Sequence, residues 1–162
     1  MPEYGVDTPD WQPLPWEWAA ERLAVNRNYW VVTVSASGRP HALPVWGVWN
    51  DDDHRFGFSC GASSRKARNI AANPSVVVAC SDTVECVSLE GVATLLPDGD
   101  ERRERWIEQY VQKYEPGSDA PGADAMADFV RGHRVIEVVP DRAFGIIERE
   151  DEFSTRATRW RF

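Results

Sequence analysis

The spacing of apolar residues changes from a helical to a strand period near residue 28. Before it, Leu14, Trp18 and Leu23 with their apolar neighbours predict a short helix over 16–27, ended by Asn26–Asn28. After it, Tyr29–Ser35 (YWVVTVS) is dense in β-branched and aromatic residues, and Ala36–Pro40 (ASGRP) supplies a turn. His41–Trp49 (HALPVWGVW) reads as a second strand, with Pro44 and Gly47 implying a bulge or a close backbone approach. Asn50–His54 turns the chain into a third strand, Arg55–Cys60, completing an antiparallel meander. Ser63–Asn73 then reads as a helix capped by Ser63 or Ser64, apolar along Ala67, Ile70 and Ala71, and stopped by Pro74. Strands are predicted at Ser75–Ser81 and Cys86–Leu96, the second interrupted by Gly91. An amphipathic helix follows over Asp98–Tyr114, turning Trp106, Ile107, Tyr110 and Val111 inward. A loop at Glu115–Gly122 and a short helix at Ala123–Arg131 lead to strands at His133–Val139, Ala143–Glu148 and Ala157–Phe162. About eight strands without regular βαβ alternation exclude a Rossmann arrangement and predict an antiparallel barrel with helices at its rim, mainly β or α+β.

The 162 residues fit one domain, arranged as an arm with the start of the first helix over 1–22 and a barrel over 23–162. The first fifteen residues carry four prolines, and the arm is expected to pack by Trp11 and Trp16. Three cysteines (Cys60, Cys80, Cys86) without CxxC pairing argue against a disulfide scaffold and for a reducing compartment. His41, His54 and His133 stand far apart, with no metal-ligand spacing. No apolar run is long enough to span a membrane, and the acidic, proline-broken N-terminus does not resemble a signal peptide. The expectation is a soluble cytoplasmic protein.

Charge changes the picture most. Eighteen Lys and Arg stand against 26 Asp and Glu, a net charge of −8, which disfavours nucleic acid as a partner. Yet Ser59–Ser81 holds Arg65, Lys66 and Arg68 and no acid at all. These cations fall in the first turns of a predicted helix, the positive end of its dipole, where each costs a few tenths to about 1 kcal/mol at an exposed site. An anion bound there would offset that cost, held by the cations, free backbone N–H groups and the hydroxyls of Ser59, Ser63 and Ser64. The alternative is a solvated basic face, ion-paired with Asp51–Asp53 or with the acidic 98–108 helix.

With these elements in order, "GRPHALPVWGVW", "RFGFSCGASSRKARNIAANPSVVVAC" and "VSLEGVATLL" resemble the pyridoxamine 5′-phosphate oxidase-like family, whose fold is a Greek-key antiparallel split β-barrel. More narrowly, the chain is similar to the flavin/deazaflavin oxidoreductases that use coenzyme F420, which often end in a sequence like the terminal TRWRF. The resemblance runs from about Leu23 to Phe162, and its most specific part is the S-x-K-x-x-N core at Ser64–Asn69.

That resemblance implies a homodimer with the cofactor in a cleft between protomers. It makes Lys66 the first candidate for the cofactor phosphate, with Arg65 and Ser64 beside it and Arg68 directed to the phosphate or to an acidic tail. Ser59 and Cys60 would offer backbone groups, and His41, Pro44, Val45 and Trp46 would run along the cofactor ring. Asn69 is expected to fix the turn instead. Trp46 and Trp49, three apart on a strand, face opposite sides, and Trp160 either plugs the barrel or reaches the partner's cleft. The activity implied is hydride transfer between F420 and a small organic acceptor such as an enone or quinone. FMN chemistry on the same fold, or a non-catalytic flavin- or tetrapyrrole-binding protein, are the alternatives. The long basic C-terminal motif of true pyridoxamine phosphate oxidases is absent, and so are GxSxG, HExxH and P-loop signatures.

Overall fold

Strong alternation of β-branched and aromatic residues is what builds the core of this molecule. In the computed structural model, residues 9–115 and 122–162 are described. Helix α1 (Trp16–Val25) is followed by β1 (Asn28–Val34), β2 (Pro40–Asn50) and β3 (Arg55–Cys60). Then come α2 (Arg65–Ala72), β4 (Ser75–Cys80), β5 (Glu85–Leu95), α3 (Glu101–Tyr114) and α4 (Gly122–Arg131). The chain ends with β6 (Arg134–Ile147), α5 (Phe153–Arg156) and β7 (Thr158–Arg161). All pairings are antiparallel in the order β3-β2-β1-β4-β5-β6-β7, and β6 pairs back onto β3. Six strands therefore close into a barrel, with β7 added beyond β6.

The two strands expected at His133–Val139 and Ala143–Glu148 are one strand, so the described residues hold seven strands rather than eight. Pro140 does not break β6 because it sits at a bulge. Gly91 pairs with Pro140 and Glu90 with Arg142, so the ladder shifts there. Gly91 is required at this point, since a Cβ would lie 2.6 Å from Pro140 Cα and closer still to the Val139 carbonyl oxygen. Residues 153–156, for which the sequence pattern predicts no element, form the single turn α5. The arm packs as expected where it is described: Trp11 Nε1 donates to the Ala157 carbonyl (3.0 Å), and Gln12 N to that of Thr155 (2.8 Å). Residues 1–8 of the arm, and most of the loop expected at Glu115–Gly122, lie outside the described residues.

Two apolar cores follow from the alternation. The barrel interior holds Tyr29, Val31, Phe56, Phe58, Val78, Leu89, Ile136 and Val138, with Leu23 and Ala19 of α1 closing one end. The second lies outside the barrel wall, where Trp106, Ile107, Tyr110 and Tyr114 of α3 pack with Val130 of α4 on Val48 and Val135. Trp106 lies against Gly57, where a Cβ would collide with its buried ring. The buried carboxylate of Glu137 accepts from Trp106 Nε1 (3.1 Å) and from Arg102 (2.7 Å), fastening α3 to β6.

Candidate functional site

β2 is shared between two neighbours, and the seam this creates is the centre of interest. Its whole first part, Pro40–Trp46, pairs with β1, whereas its ladder with β3 covers only Gly47–Asn50 and stops at Gly47↔Phe58. Beyond that point Ser59 and Cys60 continue along β6 (Ser59↔Val135, Cys60↔Arg134), outside the β2–β3 ladder. A notch opens between the first half of β2 and the end of β3. The turn from Gly61 leads into the N-terminus of α2, which flanks this notch. Ser64 N donates to the Gly61 carbonyl (2.9 Å), and Ser64 is the N-cap, its hydroxyl accepting from Ala67 N (3.2 Å). The same hydroxyl donates to Cys60 Sγ at 3.2 Å, tying the cap to the strand end. Farther along α2, Asn69 Nδ2 donates to Thr33 Oγ1 (2.9 Å, both buried), so Asn69 anchors the helix to β1.

Strand alternation distributes the residues of β2 over two faces. His41 and Val45 pair with Thr33 and Tyr29 and share their inward face, with Leu43 between them. Pro44 and Trp46 pair with Trp30 and Asn28 and lie on the other face. Within the chain these four residues therefore do not line a single surface. Val45 is buried in the core. Trp46 is stacked on Tyr114 of α3, with ring centroids 4.9 Å apart and planes within 7°, while 43 % exposed. Arg27 approaches the same pair of rings. Trp49 is on the interior side, as the three-residue spacing requires. Trp160, partly buried, packs against Gly145 and edge-on to Trp16 (5.6 Å) beside the barrel core.

The electrostatics of α2 are those read from the sequence. No acid occupies its first turn. Among the described residues, no carboxylate lies within ion-pairing distance of Arg65, Lys66 or Arg68. Several of the acids offered as alternative partners are engaged elsewhere: Asp51 accepts from Trp16 and Trp49 Nε1 (3.1 and 3.0 Å), Asp53 pairs with Arg105 (3.1 Å), Asp100 with Arg102 (2.7 Å) and Glu104 with Arg131 (3.0 Å). Arg65 and Lys66 act on His41, whose pKa is held below the usual imidazole value by burial first and then by those two cations. His41 Nδ1 is shut off from solvent and has no hydrogen-bond partner. Arg68 is turned differently: it donates to the Ser63 carbonyl and lines a groove of about 300 Å³ with Ala62, Ala71, Leu95, Leu96, Pro97 and Arg134.

The side chains of Ser59 and Cys60 do not face the notch together. Ser59 hydrogen-bonds Tyr110 under α3, and Cys60 points into the barrel core, leaving their backbone as what the seam exposes. Leu43, 45 % exposed beside His41, was not singled out from the sequence, although its position midway between His41 and Val45 puts it on their face. Trp30 was missed too. It is 45 % exposed on the outer face with Pro44, and the strict alternation of Asn28–Val34 is the signal that could have found it.

Among the described residues there is no cluster of His, Cys, Asp and Glu fit for a metal. Among those residues, too, no helix is long and apolar enough to cross a membrane. The notch offers cations, helix N–H groups and strand backbone, groups whose chemistry suits an anion.

An antiparallel six-stranded barrel opened along one seam, with a basic helix start flanking the opening, defines the split β-barrel class. The sequence pattern of pyridoxamine 5′-phosphate oxidase matches residues 17–144, and the chain belongs to that family. Its fold is shared with a conserved hypothetical protein of Mycobacterium tuberculosis (TM-score 0.71, 20 % identity, 84 % of this chain and 86 % of that one). It is shared also with the heme storage protein HutZ of Vibrio cholerae (0.58, 20 %, 76 % and 85 %). A heme-binding protein of Mycobacterium smegmatis is similar over 91 % of this chain and 59 % of its own length (0.66, 18 %). No curated protein matches by sequence.

Proposed function

We propose that the seam between β2 and β3 holds a phosphorylated flavin-type cofactor, coenzyme F420 in first place, and that the chain is a homodimeric oxidoreductase acting on a small organic acceptor. The observation that carries this reading is the pair Arg65 and Lys66, free of carboxylates at the start of α2 in a chain of net charge −8. The residues fit such a group: the cation pair and the N–H groups of the first turn are suited to a phosphate, with the His41 imidazole beside them. Lys66 and Arg65 would hold it, Ser64 would fix the helix start, and the backbone of Ser59 and Cys60 would be open to the rest of the molecule. The Arg68 and Arg134 groove suits the acidic tail by which F420 differs from FMN. The bound deazaflavin would supply hydride transfer; the protein supplies binding, orientation and exclusion of water.

The outer sheet face supports the dimer. Trp30, Pro44 and Trp46 are exposed there, continuous through Val32 and Val77 with a depression of about 300 Å³ that reaches Val92. A monomer seldom leaves so continuous an apolar face in water. A second copy covering it would bring Pro44 and Trp46 toward the partner's seam and so reunite the two faces of β2 at one cofactor.

A second reading, a heme-binding protein, is favoured by His41, an imidazole without a partner on Nδ1 beside two cations, and by the names of the two heme-associated structures above. Titration of the purified protein with F420, FMN and heme separates these readings. F420 is expected to bind more tightly than FMN, and Lys66→Ala to weaken it at least about tenfold, roughly one lost charge-assisted contact. A heme Soret shift abolished by His41→Ala, without F420 or FMN binding below the high micromolar range, would replace the flavin reading.

A further inference from the structure

We propose that His41 makes ligand binding at this seam proton-linked: the imidazole takes up a proton from solvent as a phosphate-bearing ligand settles against Arg65 and Lys66, and so becomes a third cation of the site. The inference rests on the seam being the phosphate site, and adds to it a residue whose charge depends on the ligand.

Three observations carry it. First, the register places His41 opposite Thr33, the residue that Asn69 of α2 grips, so the helix and the imidazole are fixed to the same strand. Second, Nδ1 is closed to water and without a partner, so the other ring nitrogen, Nε2, is the one left to exchange a proton with solvent and to meet a ligand. Third, every charged group acting on His41 is positive. Arg65 and Lys66 act on it from α2 through their charge, Thr33 faces it from β1 with its hydroxyl already engaged by Asn69, and its strand neighbours Pro40 and Ala42 carry no charge.

In the free protein, burial and the two cations keep the imidazole neutral down to a pH below the ordinary histidine range. An anion between the cations cancels their repulsion and gives a protonated ring an attractive charge, so the pKa rises in the complex. The complex then binds more protons than the free protein. By linkage, affinity must grow as pH falls through the pKa of the complex and level off below that of the free protein.

The test compares wild type with His41→Gln, each checked for folding by thermal denaturation, with F420 and FMN as probes. Affinity is measured at about pH 6 and about pH 8; the ligand's own titration is common to both proteins and cancels in the ratio. The expected result is that wild type gains affinity at the lower pH relative to the variant, by up to about tenfold for each unit of the His41 pKa rise that falls between the two pH values. The histidine ring resonances, followed by NMR with and without saturating ligand, should show that upward shift directly. Equal pH dependence in the two proteins, or a His41 pKa that does not rise, overturns the inference and leaves the cofactor reading standing. Failure of both probes to bind at either pH overturns the cofactor reading and this inference with it.

Discussion

Lys113, near the end of α3, is the most exceptional single residue packed against the barrel wall. Its ammonium donates to Tyr29 Oη (2.6 Å) and the Gly47 carbonyl (3.1 Å), sits near the faces of Tyr29 and Tyr114, and has no carboxylate partner among the described residues. Burial, aided by Arg27 and opposed by Cys80, lowers its pKa to about 8. The folded state therefore gives up this proton before the unfolded state does, and stability should rise as pH climbs above 8. Cys80 acts in the opposite direction: burial raises its pKa from 9.0 to about 12, so the unfolded state deprotonates first and stability falls above pH 9. Urea denaturation across pH 7 to 10 is expected to show a gain between about 8 and 9 that is absent in Lys113→Met. An unchanged profile in the variant would mean that the amine is already solvated. At Gly91 the expectation is steric. Gly91→Ala should cost about 3 kcal/mol, at the upper end of overpacking effects, because the atoms met are backbone of β6 and cannot swing aside. A midpoint shift in urea measures it.

Among the elements, α2 carries two duties that one substitution can separate. Ser64 caps the helix, and a serine N-cap is worth about 1 kcal/mol, so Ser64→Ala should lower stability by that amount. Ser64→Asp keeps a capping oxygen and restores stability, yet places a negative charge where the cofactor phosphate is proposed to sit. Its expected phenotype is a stable protein with F420 affinity reduced at least about tenfold, read by calorimetry. If Ser64→Asp binds as wild type does, the phosphate lies elsewhere. The helix itself was legible in the sequence because everything that makes it is local: a capping serine, an apolar Ala67–Ile70 stripe, a stopping proline and an acid-free run. β6 was not, because Pro140 carries the local signature of a strand break. Only the bulge opposite Gly91 lets the ladder run on through it.

At the scale of the whole molecule, the apolar outer face of β1 and β2 sets the test for assembly. Light scattering is expected to give a dimer, and Trp30→Glu, which charges the middle of that face without touching either core, should yield a folded monomer with weakened cofactor binding. A wild-type monomer, or a Trp30→Glu dimer, would remove the shared-cleft arrangement. The same scale explains why the candidate site was half legible. Arg65, Lys66 and Ser64 announced themselves through charge and capping. The four residues taken from β2 did not sort themselves, since their faces are given meaning only by where β2 leaves β3 and by which half of it α3 covers. Trp46 illustrates this: one ring face is occupied by Tyr114, a contact between residues 68 positions apart that no local pattern encodes.

What the sequence by itself determined is the inventory and period of the elements and the position of one uncompensated basic segment, because alternation, capping and helix-dipole electrostatics act over a few residues. What only the tertiary structure decided is the seam. Whether β2 stays with β3 or departs with β1, and hence whether His41 meets Arg65 and Lys66, depends on closing a barrel through pairings such as Ser59↔Val135, which join residues far apart in the chain.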